Sequence, residues 1–439
     1  MKKVLIITYY WPPSGGMGVQ RWLKFVKYCK EFGWEPIVYA PLNPEYPSYD
    51  KSFEKDIPND TTILRKEVWE PYTLYKRFVG RKKNDTIKIA FSSQKKKKGI
   101  TEKISIWLRA NLFIPDARCF WIKPSIKYLS KYIESNSIDA VVSTGPPHST
   151  HMIARGLQKK FSIPWLADFR DPWTQVCYFK TLSPGKLAFA IHRKWELDIL
   201  KNADVVTAAS EGFERGFQEL LNREYNVVHN GFDADDFSIV DGIQPDSKFT
   251  FVYAGSMSAD RNPITLWKVL SDLCKEVEDF SSNLAIKVFG IPDITIEESV
   301  KENDLSDNVF FSGFVSYEEI LKQEKKAQVL FANSSTNDED NHVIPGKMYE
   351  YLAIGRPILY LGKEDSEASK LLSQTNAGIA INNDNYTKLK SQITDWYTAY
   401  KSTGKLETNT TSLEKYTRKY LSREFAKLLD NITDKKEEQ

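Results

Sequence analysis

Short unbroken apolar runs alternate with stretches of helical periodicity along most of the chain. Val4–Thr8 is one such run, and a run of this kind predicts a strand buried on both faces of a parallel sheet. A loop follows, with Pro12-Pro13 and Gly15-Gly16. Val19, Trp22, Leu23 and Val26 then recur at helical spacing, with Gly33 placed to stop the helix. Pro36–Ala40 completes a β-α-β unit. The runs Ala140–Ser143, Trp165–Ala167, Val205–Thr207 and Val227–Val228 continue the alternation and predict a doubly wound sheet over about residues 1–235.

The polar stretch Asp233–Ser247 reads as an interdomain linker. A second alternation follows it. Phe249–Ala254, Leu284–Phe289, Val309–Phe311, Val329–Ala332, Pro357–Leu361 and Ile379–Ile381 are expected strands, and a helix is expected over about 262–280. Apolar spacing predicts a last helix over Tyr416–Leu429, with a frayed charged tail after Asp430. At about 150 residues per domain, 439 residues would give three domains, but the two alternations favour two larger α/β domains.

Composition narrows the class. The 41% apolar content excludes global disorder, and no apolar run reaches the roughly 20 residues that a membrane-crossing helix needs. The Lys2-Lys3 start followed by a short β-branched run reads as a buried strand rather than a signal peptide. Cys29, Cys119, Cys177 and Cys274 are scattered, which suits a reducing cytoplasm and argues against a zinc or redox pair. The net charge of +3 hides an asymmetry: Arg65–Lys131 holds 18 Lys and Arg against 5 Asp and Glu, so the rest of the chain is acidic on balance. Such a segment calls for an anionic partner, or is simply a solvated loop before a core helix. It includes Lys82, Lys83, Lys96 and Lys97 and is followed by the apolar stretch around Trp107, a pattern suited to an anionic membrane surface at the inner face of the plasma membrane. Aromatic residues do not interleave with Lys95–Lys98, which argues against nucleic acid.

Four places carry candidate chemistry. Gly15, Gly16 and Gly18 lie between a strand and a helix, where backbone amides can approach an anion or where a tight turn merely lets the helix pack. Arg21 stands where a dinucleotide fingerprint would need its third glycine. Gly145-Pro146-Pro147-His148-Ser149-Thr150-His151 follows a strand, so His148 or His151 is placed either to bind a hydroxyl or to start a helix. Asp168-Phe169-Arg170-Asp171-Pro172-Trp173 offers carboxylates for hydroxyls and an aromatic face for a sugar ring, or else an internal Arg–carboxylate pair. In the second half, Arg261 follows the turn Gly255-Ser256. Pro345-Gly346-Lys347 opens a helix that sets Glu350 one turn beyond Lys347. Arg261 and Lys347 suit a diphosphate and Glu350 a ribose; the alternative is a surface Lys–Glu pair. Asp338-Glu339-Asp340 reads as a solvated loop before it reads as a Mg²⁺ site.

Taken jointly, WPPSGGMGVQR, STGPPHSTHMIA, ADFRDPW, ADVVTAASEGF, VVHNGFD, FVYAGSMSADRNP and PGKMYEYLAIGRPIL resemble the GT-B glycosyltransferases, most closely the GT4-like family of bacterial polysaccharide and lipid-linked glycan synthesis. The resemblance implies two Rossmann-like doubly wound domains facing across a cleft. The N-terminal acceptor domain would span 1–235, with the basic insert at about 66–131. The donor domain would span 248–410, and a helix over 411–430 would pack back on the N-terminal domain. It further implies a retaining transfer, without metal or cofactor, from a nucleotide-diphosphate sugar (UDP- or GDP-linked) to a glycan or lipid-linked acceptor. Carried over by position, Gly15, Gly16, Gly255, Ser256, Arg261, Pro345, Gly346, Lys347 and Glu350 would hold the donor. His148, His151, Asp168 and Asp171 would be the catalytic candidates, and Arg170 and Trp173 would face the acceptor or sugar. Glu350 matches the final Glu of the family's Glu-x7-Glu motif, whose first position is His342 here. Met257 and Ser258 replace a second basic residue, a charge that Lys347 would supply. A nucleotide-sugar 2-epimerase of the same fold and a non-enzymatic polyanion binder are the competing functions, and the oligomeric state is left open.

Overall fold

The structure is a computed structural model that describes residues 1–46, 48–69, 100–176, 179, 182–335 and 341–437. These divide into two compact units. The first holds the described residues up to Asn230 together with the helix from Arg418; the second holds those of Gly231–Thr417.

In the first unit, β1 (Lys2–Ile7), β2 (Trp34–Pro41), β3 (Thr62–Lys66), β4 (Ala140–Gly145), β5 (Trp165–Phe169), β6 (Val205–Ala208) and β7 (Asn226–Val227) form one sheet in the order β3-β2-β1-β4-β5-β6-β7. Every pairing is parallel. The helices Met17–Tyr28, Ile100–Leu112, Cys119–Ser135, Ser149–Phe161, Lys186–Asn202 and Glu211–Leu220 connect the strands. Val4–Ile7 of β1 is an unbroken apolar run and every residue of β4 is buried because helices cover both faces of the sheet, so neither parity of side chain meets water there.

The second unit repeats the plan with β8 (Phe249–Ala254), β9 (Leu284–Phe289), β10 (Val309–Gly313), β11 (Val329–Asn333), β12 (Ile358–Leu361) and β13 (Gly378–Ile381), in the order β10-β9-β8-β11-β12-β13, again parallel throughout. Alternate residues of β8 feed opposite cores. Phe249, Phe251 and Tyr253 pack with Trp267 and Leu270 on one side, while Val252 and Ala254 pack with Met348 and Leu352 on the other. In both sheets the strand order reverses at one point, between β1 and β4 and between β8 and β11. The crevice beyond the strand ends at such a point is where open α/β sheets bind ligands.

Several expectations need correction. The polar stretch 233–247 is not a free linker. Asp233 accepts the Asp235 amide and starts a 3-10 turn, Ala234–Val240, whose Phe237 and Val240 are buried in the second unit. The helix expected over 262–280 runs only from Ile264 to Glu276, after Pro263, and the backbone is extended again at Val277. β3 was hidden by its polar ends. The tail is not frayed after Asp430: the last helix runs Arg418–Glu437, buries Ile432 and Thr433, and is met by Lys2, whose ammonium donates to Thr433 at 3.0 Å and to Asp430 and Asp434. Lys82, Lys83, Lys96, Lys97 and Asp338-Glu339-Asp340 lie outside the described residues.

The last helix completes the first unit's core. The Phe425 ring lies 4.8 Å from Trp22 and 5.9 Å from Phe25, centroid to centroid, and the Arg21 guanidinium stands 5.0 Å over it. Replacing Phe425 by Ala is expected to lower the stability of this unit by about 3–5 kcal/mol, as aromatic truncations in closed cores do; urea unfolding followed by tryptophan fluorescence reads the loss.

Candidate functional site

The first candidate region lies at the ends of β1, β4 and β5. Its base is the Asp168 carboxylate at 0% exposure. One oxygen receives Arg21 Nη2 at 2.8 Å and the Thr207 hydroxyl at 2.8 Å; the other receives the Trp22 indole N–H at 2.7 Å and the Thr144 hydroxyl at 2.9 Å. Burial alone would raise the Asp168 pKa, but the Arg21 charge and this set of donors outweigh it and hold the acid below its usual range. Asp168 therefore has no free lone pair to act as a nucleophile, which corrects its assignment among the catalytic candidates. Its guanidinium partner is Arg21, not the adjacent Arg170.

Arg170 is also not an open ligand for an acceptor. It donates to the Gly18 carbonyl at 2.7 Å and to the Pro146 carbonyl, bracing the glycine loop against the turn after β4. A side chain at Gly18 would collide with it: an added Cβ would lie 2.6 Å from Nη1. Gly16 caps the Met17–Tyr28 helix with φ near +90°, a backbone that favours glycine, and the Gly15 amide is held by the Ser48 carbonyl at 3.0 Å. Asp171 has no polar partner among the described residues; burial raises its pKa, opposed by Arg170. It is the acid on this strand end that keeps its lone pairs.

The two histidines are both buried and differ in their bonding. His151 Nδ1 meets the Ser143 hydroxyl at 2.7 Å, and that oxygen also receives the Trp165 indole N–H at 2.9 Å. Indole only donates, so the serine oxygen accepts from Trp165, and the direction of its bond to His151 Nδ1 follows the imidazole tautomer. Burial drives His151 down to about 3, so the ring is neutral, stacked on Phe169 at 4.3 Å. His148, the residue that precedes the Ser149–Phe161 helix, has no partner at either nitrogen among the described residues although both are buried. Burial, then His151, His192 and Arg170, push its pKa well below the ordinary value. A neutral imidazole with unsatisfied nitrogens at a strand end is poised to accept or pass a proton once a ligand arrives. Gly145 makes room for both rings, since a Cβ there would stand 2.6 Å from His151 Nε2 and 3.2 Å from His148 Nδ1. Trp173 does not offer a face to sugar, which is a second correction: it is 2% exposed and stacks on His148 at 4.7 Å with planes 4° apart.

The second region lies at the ends of β8 and β11. Gly255 has φ near +114° and Gly290 near +122°; a Cβ on Gly290 would sit 2.4 Å from the Gly255 carbonyl oxygen, so two loops meet here backbone to backbone. Below the turn, Lys347 Nζ rests 3.5 Å from the centroid of the Tyr253 ring, and an added Cβ at Gly255 would lie 3.3 Å from it. Ser256 is exposed and Arg261 closes the 3-10 turn Ala259–Arg261, where the Asn333 amide holds its carbonyl. Burial and then Arg261 bring the Lys347 pKa down to about 7, opposed by Glu324 and Glu350. Two cations that repel one another favour an anion between them. Pro345 and Gly346 open the Gly346–Ile354 helix, on which Glu350 is buried; His342 is exposed.

Sequence reading missed Asp116, His192, Glu196 and Glu324. Asp116 caps the His148 helix by accepting the Ser149 amide at 2.9 Å and hydroxyl at 2.8 Å, from a stretch that reads only as basic. Glu324 sits in the Lys-Glu-rich helix Tyr317–Lys326, whose composition suggests solvent. It is nevertheless fully buried with neither oxygen partnered among the described residues, and burial followed by the Glu350 charge raises its pKa well above the ordinary carboxyl range.

Breaking the Asp168 hub tests its structural role. Asp168→Ala leaves Arg21 buried without a counterion and is expected to lower the stability of the first unit by about 3–5 kcal/mol, measured by urea unfolding. Asp171→Ala should leave that stability nearly unchanged.

Comparison with known proteins adds the family. Residues 236–413 match the family described as Glycosyl transferases group 1. No curated protein matches the chain by sequence. Solved structures match over nearly the whole chain. Sucrose-phosphate synthase from Thermosynechococcus elongatus is 12% identical, with 100% of this chain and 98% of that one covered and a TM-score of 0.55. The lipopolysaccharide outer core galactosyltransferase WaaB is 13% identical, with coverages of 99% and 100% and a TM-score of 0.55. The UDP-GlcNAc 2-epimerase from Methanocaldococcus jannaschii is 12% identical, with coverages of 98% and 100% and a TM-score of 0.51. Residues 236–413 thus resemble the group 1 glycosyl transferases in sequence, and the chain as a whole has the GT-B fold that these solved structures share.

Proposed function

We propose that this protein is a retaining, GT4-like glycosyltransferase that moves a hexose from a UDP- or GDP-linked donor to a glycan or lipid-linked acceptor of cell-surface polysaccharide synthesis, without a metal. The observation that carries the reading is the pairing of Arg261 and Lys347 at the end of β8, with Glu350 one helical turn beyond Lys347. Cleaving the sugar–phosphate bond builds negative charge on the leaving diphosphate, and cations fixed in advance stabilise that charge as it forms. Glu350 would accept the ribose hydroxyls. Retention is read as front-face attack assisted by the leaving phosphate oxygen; Asp168 has no lone pair to offer as a nucleophile, and Asp171, which keeps its lone pairs, is the carboxylate of the alternative route. His148 is the catalytic histidine in this reading, and His151, tied to Ser143, supports it.

The acceptor side fits an anionic membrane surface. Trp107 is 56% exposed and Leu112 63% exposed on the Ile100–Leu112 helix, and Leu187 is 77% exposed at the start of the Lys186–Asn202 helix. Asn111 joins the two helices by accepting the Gly185 amide at 2.8 Å. Exposed apolar side chains beside Arg109 and Lys186 suit a cytoplasmic enzyme resting on acidic lipid. No helix among the described residues is long and apolar enough to cross a membrane.

Three outcomes test the reading. Arg261→Ala and Glu350→Ala should each weaken binding of the preferred nucleotide sugar about 10- to 100-fold, the value of hydrogen bonds to charged groups, measured by calorimetry after a thermal-shift screen of UDP-, GDP- and ADP-sugars. Lys347 adds a pH dependence. Below pH 7 it is already charged; above pH 7 binding must first take up a proton, so the dissociation constant should rise about tenfold per pH unit, and Lys347→Met should flatten that rise. In sedimentation with phosphatidylglycerol vesicles, a Trp107→Ser, Leu187→Ser double variant should stay in the supernatant while the parent pellets. A folded protein that neither binds nor turns over any donor of the panel would sink the proposal, and conversion of the donor alone into its C2 epimer, still linked to the nucleotide, with no transfer would identify the epimerase instead.

A further inference from the structure

We propose that Trp173 is a positioning residue for His148 and that His192 and Glu196 clamp it in place. This rests on the reading of His148 as the catalytic histidine. A histidine is ordinarily oriented by a hydrogen bond to one ring nitrogen, and among the described residues His148 has none at either. Its orientation is set instead by a face-on stack with Trp173, 4.7 Å between centroids and 4° between planes. The stack is only as rigid as the indole, and three hydrogen bonds to one helix hold the indole and the residue after it. Trp173 Nε1 donates to His192 Nδ1 at 2.9 Å. The next residue, Thr174, donates its amide to Glu196 at 3.2 Å and its hydroxyl to the same carboxyl group. His192 and Glu196 are one turn apart on the Lys186–Asn202 helix, so consecutive residues of the loop after β5 are gripped by consecutive turns of one rod. Phe179 packs edge-on against His192 at 4.9 Å, and Asp116 holds the helix that His148 precedes.

The indole does two things to the imidazole. It fixes the ring plane, and it keeps water off one face. The groups that act on His148 are His151 on the following helix, His192 behind the indole and Arg170 on the loop after β5, and each disfavours imidazolium. The acids nearby are engaged elsewhere: Asp168 acts on His151, Asp116 on His192 and Asp171 on Arg170. Burial is the largest cause of the depression, so opening the stack to water removes the main obstacle to imidazolium.

The chain has five histidines, so their C2 proton resonances can be followed individually by NMR, with His148→Ala assigning the signal of interest. In the parent the His148 signal should not titrate between pH 5 and 8. In Trp173→Ala it should titrate with a midpoint near the unperturbed value of about 6.5. His192→Phe, which removes the acceptor for the indole N–H, should behave likewise, and His192→Gln, which restores an acceptor, should return the silent signal. With the nucleotide sugar selected by thermal shift, Trp173→Ala and His192→Phe should lose about 100-fold in kcat, within the range for general-base catalysis, and lose activity further as pH falls through 6.5. The KM for donor should change less than about twofold, since uniform binding is untouched. If Trp173→Ala does not fold, the His192→Phe and His192→Gln pair decides. A silent His148 signal and parental kcat in folded Trp173→Ala and His192→Phe, with His148→Ala inactive, would overturn the positioning role and leave the catalytic histidine standing. An active His148→Ala would overturn the catalytic reading itself.

Discussion

The Asp168 carboxylate is the constraint on which the first unit's site depends. One buried charge gathers Arg21 and Trp22 from the helix after β1, Thr144 from β4 and Thr207 from β6. Four elements are pinned at the point where the strand order reverses, and the loops that leave those strands carry the glycine turn, His148 and Asp171. An ion pair buried this deeply adds little net stability, because desolvating two charges offsets most of their attraction. Its value here is geometric. Every donor to Asp168 has one place to go, so the strand ends cannot slide, and the catalytic candidates inherit that register. A residue that looked like the reagent is the anchor.

The second unit solves a different problem. It gathers cations near the strand ends. Lys347 lies against the Tyr253 ring, burial and Arg261 lower its pKa, and burial and the Glu350 charge raise that of Glu324. Cations that repel one another in a partly buried site are relieved by an incoming anion.

Much of this was legible in the sequence because it depends on local pattern. The continuous apolar runs of β1, β4, β8 and β11 gave both sheets, and the Gly-containing turns after β1 and β8 gave the two places where ligands belong. Lys347 and Glu350 could be set on one helix face by spacing alone. The parts that were not legible depend on partners distant in sequence. Nothing local distinguishes Asp168 from Asp171, three residues apart; only the fold brings Arg21, 147 positions away, onto the first and leaves the second open. Trp173 has the composition of a sugar platform, but His148 and His192 cover it. Phe237 and Val240 were hidden by the acids around them, and Glu324 by the lysines around it. Polarity averaged over a window misleads wherever one side chain points inward.

The return of the Arg418–Glu437 helix to the first unit has a consequence for synthesis on the ribosome. Trp22, Phe25 and the residues beside them wait for Phe425, so the half of the protein made first cannot close until the half made second has emerged. Gly231–Thr417 is continuous and can mature while its predecessor still exposes an open apolar seam. The nascent chain thus finishes from its middle outwards, and the interval before the last helix arrives is when it most needs shielding from its neighbours.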